Sequence, residues 1–161
     1  NLSNDEIVDL AASCIKYNIL NVNRKRTVNF NLESATDFQG NSAIYLLYNY
    51  ARINSILEKV NYCGSDEDIY KFKEELEYSL INSLYKFPEV VDNSYNTQES
   101  VIITNYLYDV AQKFSRYYKN IPVLNEEDKL VRQSRLALLN STKTVLSNGM
   151  KILGINPVKK L

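Results

Sequence analysis

The chain has 161 residues, 45% hydrophobic and 24% charged, the length and composition of one soluble domain with a single principal core. At this size about 70% of the unfolded surface is buried on folding, without help from a metal or disulfide. Nineteen Lys and Arg offset nineteen Asp and Glu, and His is absent, so bulk charge gives no sign of a nucleic-acid partner and no imidazole base, His metal ligand or Ser-His pair is available.

Four Gly and three Pro leave few tight turns, which argues against a many-stranded sandwich or barrel and for long helices. Ser3-Asn4-Asp5-Glu6 has the form of a capping box and predicts a helix to about Leu20, with Ile7, Leu10, Ala11, Cys14 and Ile15 as its apolar stripe. Asn21 to Thr36 reads as a connector, with Thr27 to Phe30 extended and a turn of helix within Leu32 to Phe38. Its basic run Arg24-Lys25-Arg26 suits a solvated loop or an RNA backbone contact. A helix follows from Asn41 or Ser42 to about Val60, and another from Ser65, with Asp68 at the capping spacing, to Phe87, where Pro88 stops it. Glu89 to Asn96 is a short helix or turn. Thr97 or Gln98 to Lys119 carries Ile103, Tyr106, Leu107, Val110, Ala111, Phe114 and Tyr117 near one face. The last helix runs from about Glu126 to Leu153, closed by Gly154 and Pro157. The acidic runs Asp66-Glu67-Asp68 and Glu126-Glu127-Asp128 fall at helix starts, where they complement the dipole. The expectation is an all-α antiparallel bundle of about four long helices, residues 37–161, preceded by a leading helix and connector, residues 1–36.

Cys14 and Cys63 form no CxxC pair; a single disulfide is open to them, and buried free thiols of a reducing compartment are the expected reading. No apolar run approaches the ~20 residues of a membrane span, and the start has no secretory pattern, so a cytoplasmic location is expected.

Asn41, Tyr45, Tyr48 and Arg52 follow offsets of four, three and four, which would put them on one helical stripe, while Ile44, Leu47 and Ala51 turn toward the core. Two tyrosines one turn apart, with an amide and a guanidinium, offer stacking faces and polar edges to unpaired RNA bases. The same tyrosines also suit ordinary amphipathic packing with their hydroxyls in water. Arg116-Tyr117-Tyr118-Lys119-Asn120 is a second such cluster, either a platform for a splayed base or cations satisfying a helix C-terminus. The four glycines are widely spread, so there is no phosphate loop, and no catalytic set assembles.

Ordered blocks over residues 37–161 resemble the arginyl-tRNA synthetases. Gly40 to Ile56 resembles GNTGPYLQYAYARIRSI, Phe87 to Val91 resembles FPEVV, and Tyr106 to Tyr118 resembles YLYDLAQAFNRFY. Ser134 to Leu139 with Val145 to Ile155 resembles the DALR segment and its tail, and Ala12 to Leu20 with Val28 to Asn31 resembles stretches that close the family's catalytic body. The resemblance implies a helical domain that holds the anticodon loop of arginine tRNA, whose middle cytosine the arginine tRNAs share. It also implies a longer class I enzyme, in which ATP and Mg belong to a catalytic domain whose HIGH-type and KMSKS-type motifs are not in this sequence. No cofactor is expected in the present chain, which is not expected to form arginyl-adenylate by itself. Its partners would be the tRNA and its own catalytic domain, and a monomer is expected. Carried over position by position, the RNA-binding set is Tyr45, Tyr48, Tyr118 and, at the place of the family's terminal methionine, Leu161, with Asn41 and Arg52 in lesser roles. Ala43-Ile44 stands where the family has Gly-Pro, and Leu47 where it has Gln. Two other readings compete: the related module of the glycyl-tRNA synthetase β subunit, and a helical protein-interaction module without RNA binding.

Overall fold

The computed structural model describes residues 3–64 and 70–158. They form α1 (Asn4–Leu20), α2 (Leu32–Ala35), α3 (Ala43–Lys59), α4 (Glu75–Tyr85), α5 (Phe87–Thr97), α6 (Val101–Asn120) and α7 (Lys129–Ile152), with no strand among the described residues. The all-α expectation holds. Local chemistry sets most boundaries. Ser3 Oγ accepts from the Glu6 N–H and Glu6 Oε2 accepts from the Ser3 N–H, so the capping box is closed at both ends. Ser42 caps α3 by accepting from the Tyr45 N–H. Past α7, the Gly154 and Ile155 N–H groups close on the Lys151 and Met150 carbonyls, as the Gly-Pro tail predicted.

Three helices begin later than their spacing suggested. The proposed start at Ser65, and the acidic run with it, lies outside the described residues, and the helix there begins at Glu75. A carboxylate from its first turn reaches back to close the entrance: Glu77 Oε2 accepts from the N–H of the N-cap residue Glu74 at 2.8 Å and from that of Lys73 before it at 2.7 Å. Pro88 does stop α4, yet it also sits in the first turn of α5, where its missing N–H costs nothing. Gln98 turns left-handed at φ 55° and delays α6 to Val101. At α7 the acidic run precedes the helix, and Asp128 is its N-cap, accepting from the Leu130 and Val131 N–H groups.

The core lies where α3 crosses α6 and α7, with α4 and α5 flanking α6. Of the face read on α6, Ile103, Leu107, Val110, Ala111, Phe114 and Tyr117 are buried, and Tyr106 is half-buried. Burying a side chain the size of Ile103, Leu107, Val110 or Phe114 stabilises the fold by about 1.5–3 kcal/mol. Gly149 lets α7 approach α6, since a Cβ there would stand 2.4 Å from Leu107 Cδ2.

The leading helix behaves differently from its predicted stripe. Ile7, Val8, Ile15 and Ile19 are exposed, and Ser13, Cys14 and Tyr17 are its buried residues. The polar ties come from its C-terminal half. The Tyr17 hydroxyl lies 2.5 Å from Asn41 Oδ1 and 3.0 Å from the Thr104 carbonyl, and Ser100 Oγ donates to the Leu20 carbonyl. Both cysteines are free, but only Cys14 is buried; Cys63 is exposed at the end of the α3 loop, contrary to the expectation.

At the far end of the bundle Arg135 on α7 is sealed inside. Its Nε donates to Glu77 Oε1 at 2.6 Å, and its Nη1 donates to Glu126 Oε2 at 2.6 Å and the Pro122 carbonyl at 2.8 Å. Glu77 is fully buried too. The clasp joins α4, α7 and the turn after α6.

Candidate nucleic-acid interface

Offsets of three and four put Tyr45, Tyr48 and Arg52 on the outer side of α3, while Ile44, Leu47 and Ala51 face the core as read from the sequence. Leu47, standing where the family has Gln, therefore points into the bundle and does not lie between the tyrosines. The last turns of α6 run alongside and add Ser115, Tyr118 and Lys119. Together with Phe38 and Gln39 they line an open cleft of about 790 Å³.

Arg52 stands at its centre. The guanidinium carbon lies 4.9 Å from the Tyr48 ring centroid and 5.5 Å from that of Tyr118, and Nη2 donates to the Tyr48 hydroxyl at 2.9 Å. No carboxylate of the described residues pairs with Arg52 or Lys119, so both charges are open to a ligand. Tyr118 is half-buried, stacked on Phe114 at 5.9 Å, and Tyr48 is 37% exposed. Tyr45 is a wall: its hydroxyl donates to Ser115 Oγ at 3.2 Å, Ser115 donates to Asn49 Oδ1 at 2.8 Å, and its ring meets Tyr108 edge-on.

The remaining candidates lie elsewhere. Asn41 precedes α3 by two residues, so its offset from Tyr45 does not place it on the stripe. Its side chain accepts from Tyr17 and lies 3.4 Å from the amide oxygens of Asn21 and Asn105. Leu161 lies outside the described residues. In the second cluster Tyr117 faces inward, its phenol pushed up by burial and its hydroxyl without a hydrogen-bond partner among the described residues, while Arg116 and Asn120 are exposed. Arg24 spends its charge within the protein, on Glu99 and Gln98.

Phe38, Gln39 and Ser115 escaped the sequence reading. Ser115 sits four residues after Ala111 and three before Tyr118 on a helix whose inward face was already assigned, and the flanking stripe could have been read from it. Phe38 belongs to a loop and carries no periodicity. Its one signal is a large apolar residue two places before Gly40, just upstream of the tyrosine helix.

An all-helical bundle with a cleft of tyrosines around an arginine that no carboxylate of the described residues pairs has the form of a helical RNA-binding domain. A model of the DALR anticodon binding domain matches residues 46–161, and the chain belongs to that family. Over 99% of its length it is 35% identical to an arginine--tRNA ligase of Alcanivorax borkumensis, and over 94% it is 34% identical to one from Methanococcus maripaludis. Among solved structures, the arginyl-tRNA synthetase of Plasmodium falciparum shares 31% identity and a TM-score of 0.82 over 95% of the chain. That of Thermus thermophilus reaches a TM-score of 0.89 over the whole chain at 24% identity, a likeness of fold. The chain spans 27–28% of the length of these relatives.

Proposed function

We propose that this domain holds the anticodon loop of arginine tRNA, with an unpaired base received in the cleft of Tyr48, Arg52 and Tyr118. The observation that carries the reading is the meeting of those three side chains, two from α3 and one from the end of α6, around an open cleft in a DALR domain. Flat rings bind a base by stacking and a guanidinium donates to its edge. Aminoacylation of that tRNA with ATP and arginine would then be the work of the remaining length of the protein, in the cytoplasm. The exposed apolar residues of α1, Ile7, Val8, Ile15 and Ile19, are the surface on which this catalytic body would rest.

The reading is tested by titrating the protein with an arginine anticodon stem-loop. Tyr118→Ala, with helicity intact by circular dichroism, should lose about 1–3 kcal/mol of binding, the cost of removing one stacking platform. Unchanged affinity for both Tyr118→Ala and Tyr48→Ala would refute the site. A glycine anticodon stem-loop should bind more weakly than the arginine one; equal binding would transfer the domain to the glycyl alternative. The salt dependence should be shallow, because stacking releases few counterions.

A further inference from the structure

Phe38 stands beside the cleft as a large apolar side chain that is 58% exposed. Its ring meets Tyr48 edge-on, with centroids 6.5 Å apart and planes at 84°. The loop that presents it is braced. Asp37 Oδ1 accepts from the Gln39 N–H at 2.8 Å, the Ser42 hydroxyl donates to the Asp37 carbonyl, and the Ser42 N–H donates to the Gly40 carbonyl. Tyr108, on α6, donates its hydroxyl toward the Gln39 carbonyl at 3.4 Å. Gly40 keeps the turn tight, since a Cβ there would stand 2.6 Å from Asp37 Oδ2 and displace the carboxylate that braces the Gln39 N–H. An apolar ring held out in water by so many contacts is not covering the core. Phe38 and Gln39 also line a second concavity, with Asn31, Glu33, Ser34, Thr36 and Asp37. The ring thus stands on a ridge between two hollows.

We infer that Phe38 is a wedge that separates two neighbouring unpaired nucleotides: one enters the Tyr48–Arg52–Tyr118 cleft, and the next is turned over the ridge and stacks on the Phe38 ring. The inference rests on the reading of that cleft as an anticodon-loop site. A phenyl ring has a π-face for any base and no hydrogen-bonding group, so the second nucleotide is gripped with little regard to its identity. Its gain is an enforced splay, which keeps the loop from restacking and leaves the first base free to be read along its edge.

Three RNAs separate the two ideas: the arginine anticodon stem-loop, and the same loop made abasic at the nucleotide before or after the middle anticodon base. Phe38→Ala should weaken binding of the intact loop about 10-fold, the lower range of one stacked base. It should bind one of the abasic loops as well as the unaltered protein does, because the penalty has already been taken there. Phe38→Tyr should restore affinity, and Phe38→Leu, which keeps an apolar side chain on the loop, should not. Tyr118→Ala should weaken all three RNAs. If Phe38→Ala binds the intact loop normally, or loses equally on all three RNAs while Tyr118→Ala is impaired, the wedge is overturned and the cleft stands. If Tyr118→Ala binds normally, the cleft itself is overturned.

Discussion

Two arginines divide the molecule between them. Arg135 is sealed at 2% exposure between Glu77 and Glu126, and each of its hydrogen bonds ends on a group of the protein. Arg52 lies in an open cleft against two phenol rings, with no carboxylate among the described residues to neutralise it. The first is a tie between secondary-structure elements. The second carries a charge that no carboxylate of the described residues neutralises, and its guanidinium, close to two aromatic rings, keeps donors beyond the one that Nη2 gives to the Tyr48 hydroxyl. Surroundings, and not residue type, decide which arginine serves the fold and which serves a ligand.

The contrast breaks most visibly at the buried end. Arg135→Met leaves Glu77 and part of Glu126 without their cation and should cost about 3–5 kcal/mol, seen as a lower urea midpoint. Adding Glu77→Gln, which removes the stranded charge and keeps an oxygen for the Lys73 and Glu74 N–H groups, should recover much of that loss; no recovery would show that the stranded charge is not the source of the cost. The cleft arginine should give the converse result. Arg52→Ala should leave stability within about 0.5 kcal/mol and lower affinity for the arginine anticodon stem-loop about 10-fold, the loss of one charge-assisted contact. Arg52→Lys should not restore that affinity, since an ammonium lacks the flat fork. The smallest effect is in acid. Hydrogen bonds from Lys71 and from the Val131 N–H hold the Asp128 carboxylate down from its ordinary 3.8 to about 2. A depressed carboxylate contributes stability above its unfolded value and loses it as the pH falls through the folded one. The melting temperature should therefore slide between about pH 4 and pH 2, and Asp128→Asn, which keeps the cap, should flatten that slope.

The regular elements were largely legible in the sequence. The inward face of α6 was read residue by residue, because apolar side chains at helical spacing admit few other arrangements. Tyr45, Tyr48 and Arg52 followed from the same periodicity on α3. Tyr118 stood in the second aromatic and basic cluster, but only the resemblance joined it to the α3 tyrosines, as no local pattern links residues seventy positions apart. Two kinds of signal failed. Spacing was extended past a helix end at Asn41, where the backbone is no longer helical and an offset of four has no meaning. The start of α4 was sought at a Ser-x-x-Asp pattern, whereas the fold caps that helix with Glu77, a residue that gives no sign until the Arg135 clasp is seen. Phe38 was invisible for a related reason: a loop side chain acquires its place from the turn that holds it, and that turn is built by Asp37, Ser42 and Tyr108 together.

The knot around Tyr17 bears on where this polypeptide can be cut. A truncation at residue 37 would take away the phenol that fills the slot beside Thr104, and with it the hydroxyl that meets Asn41, the residue just ahead of the cap of the tyrosine-bearing helix. Asn21, whose amide oxygen accepts from Thr104 Oγ1 at 2.7 Å, would leave as well. The shortest version that keeps the α3 entrance in place is one that retains the first helix through Asn21. A protease that trims the leader should loosen the entrance to the tyrosine helix before it touches the clasp at the opposite end.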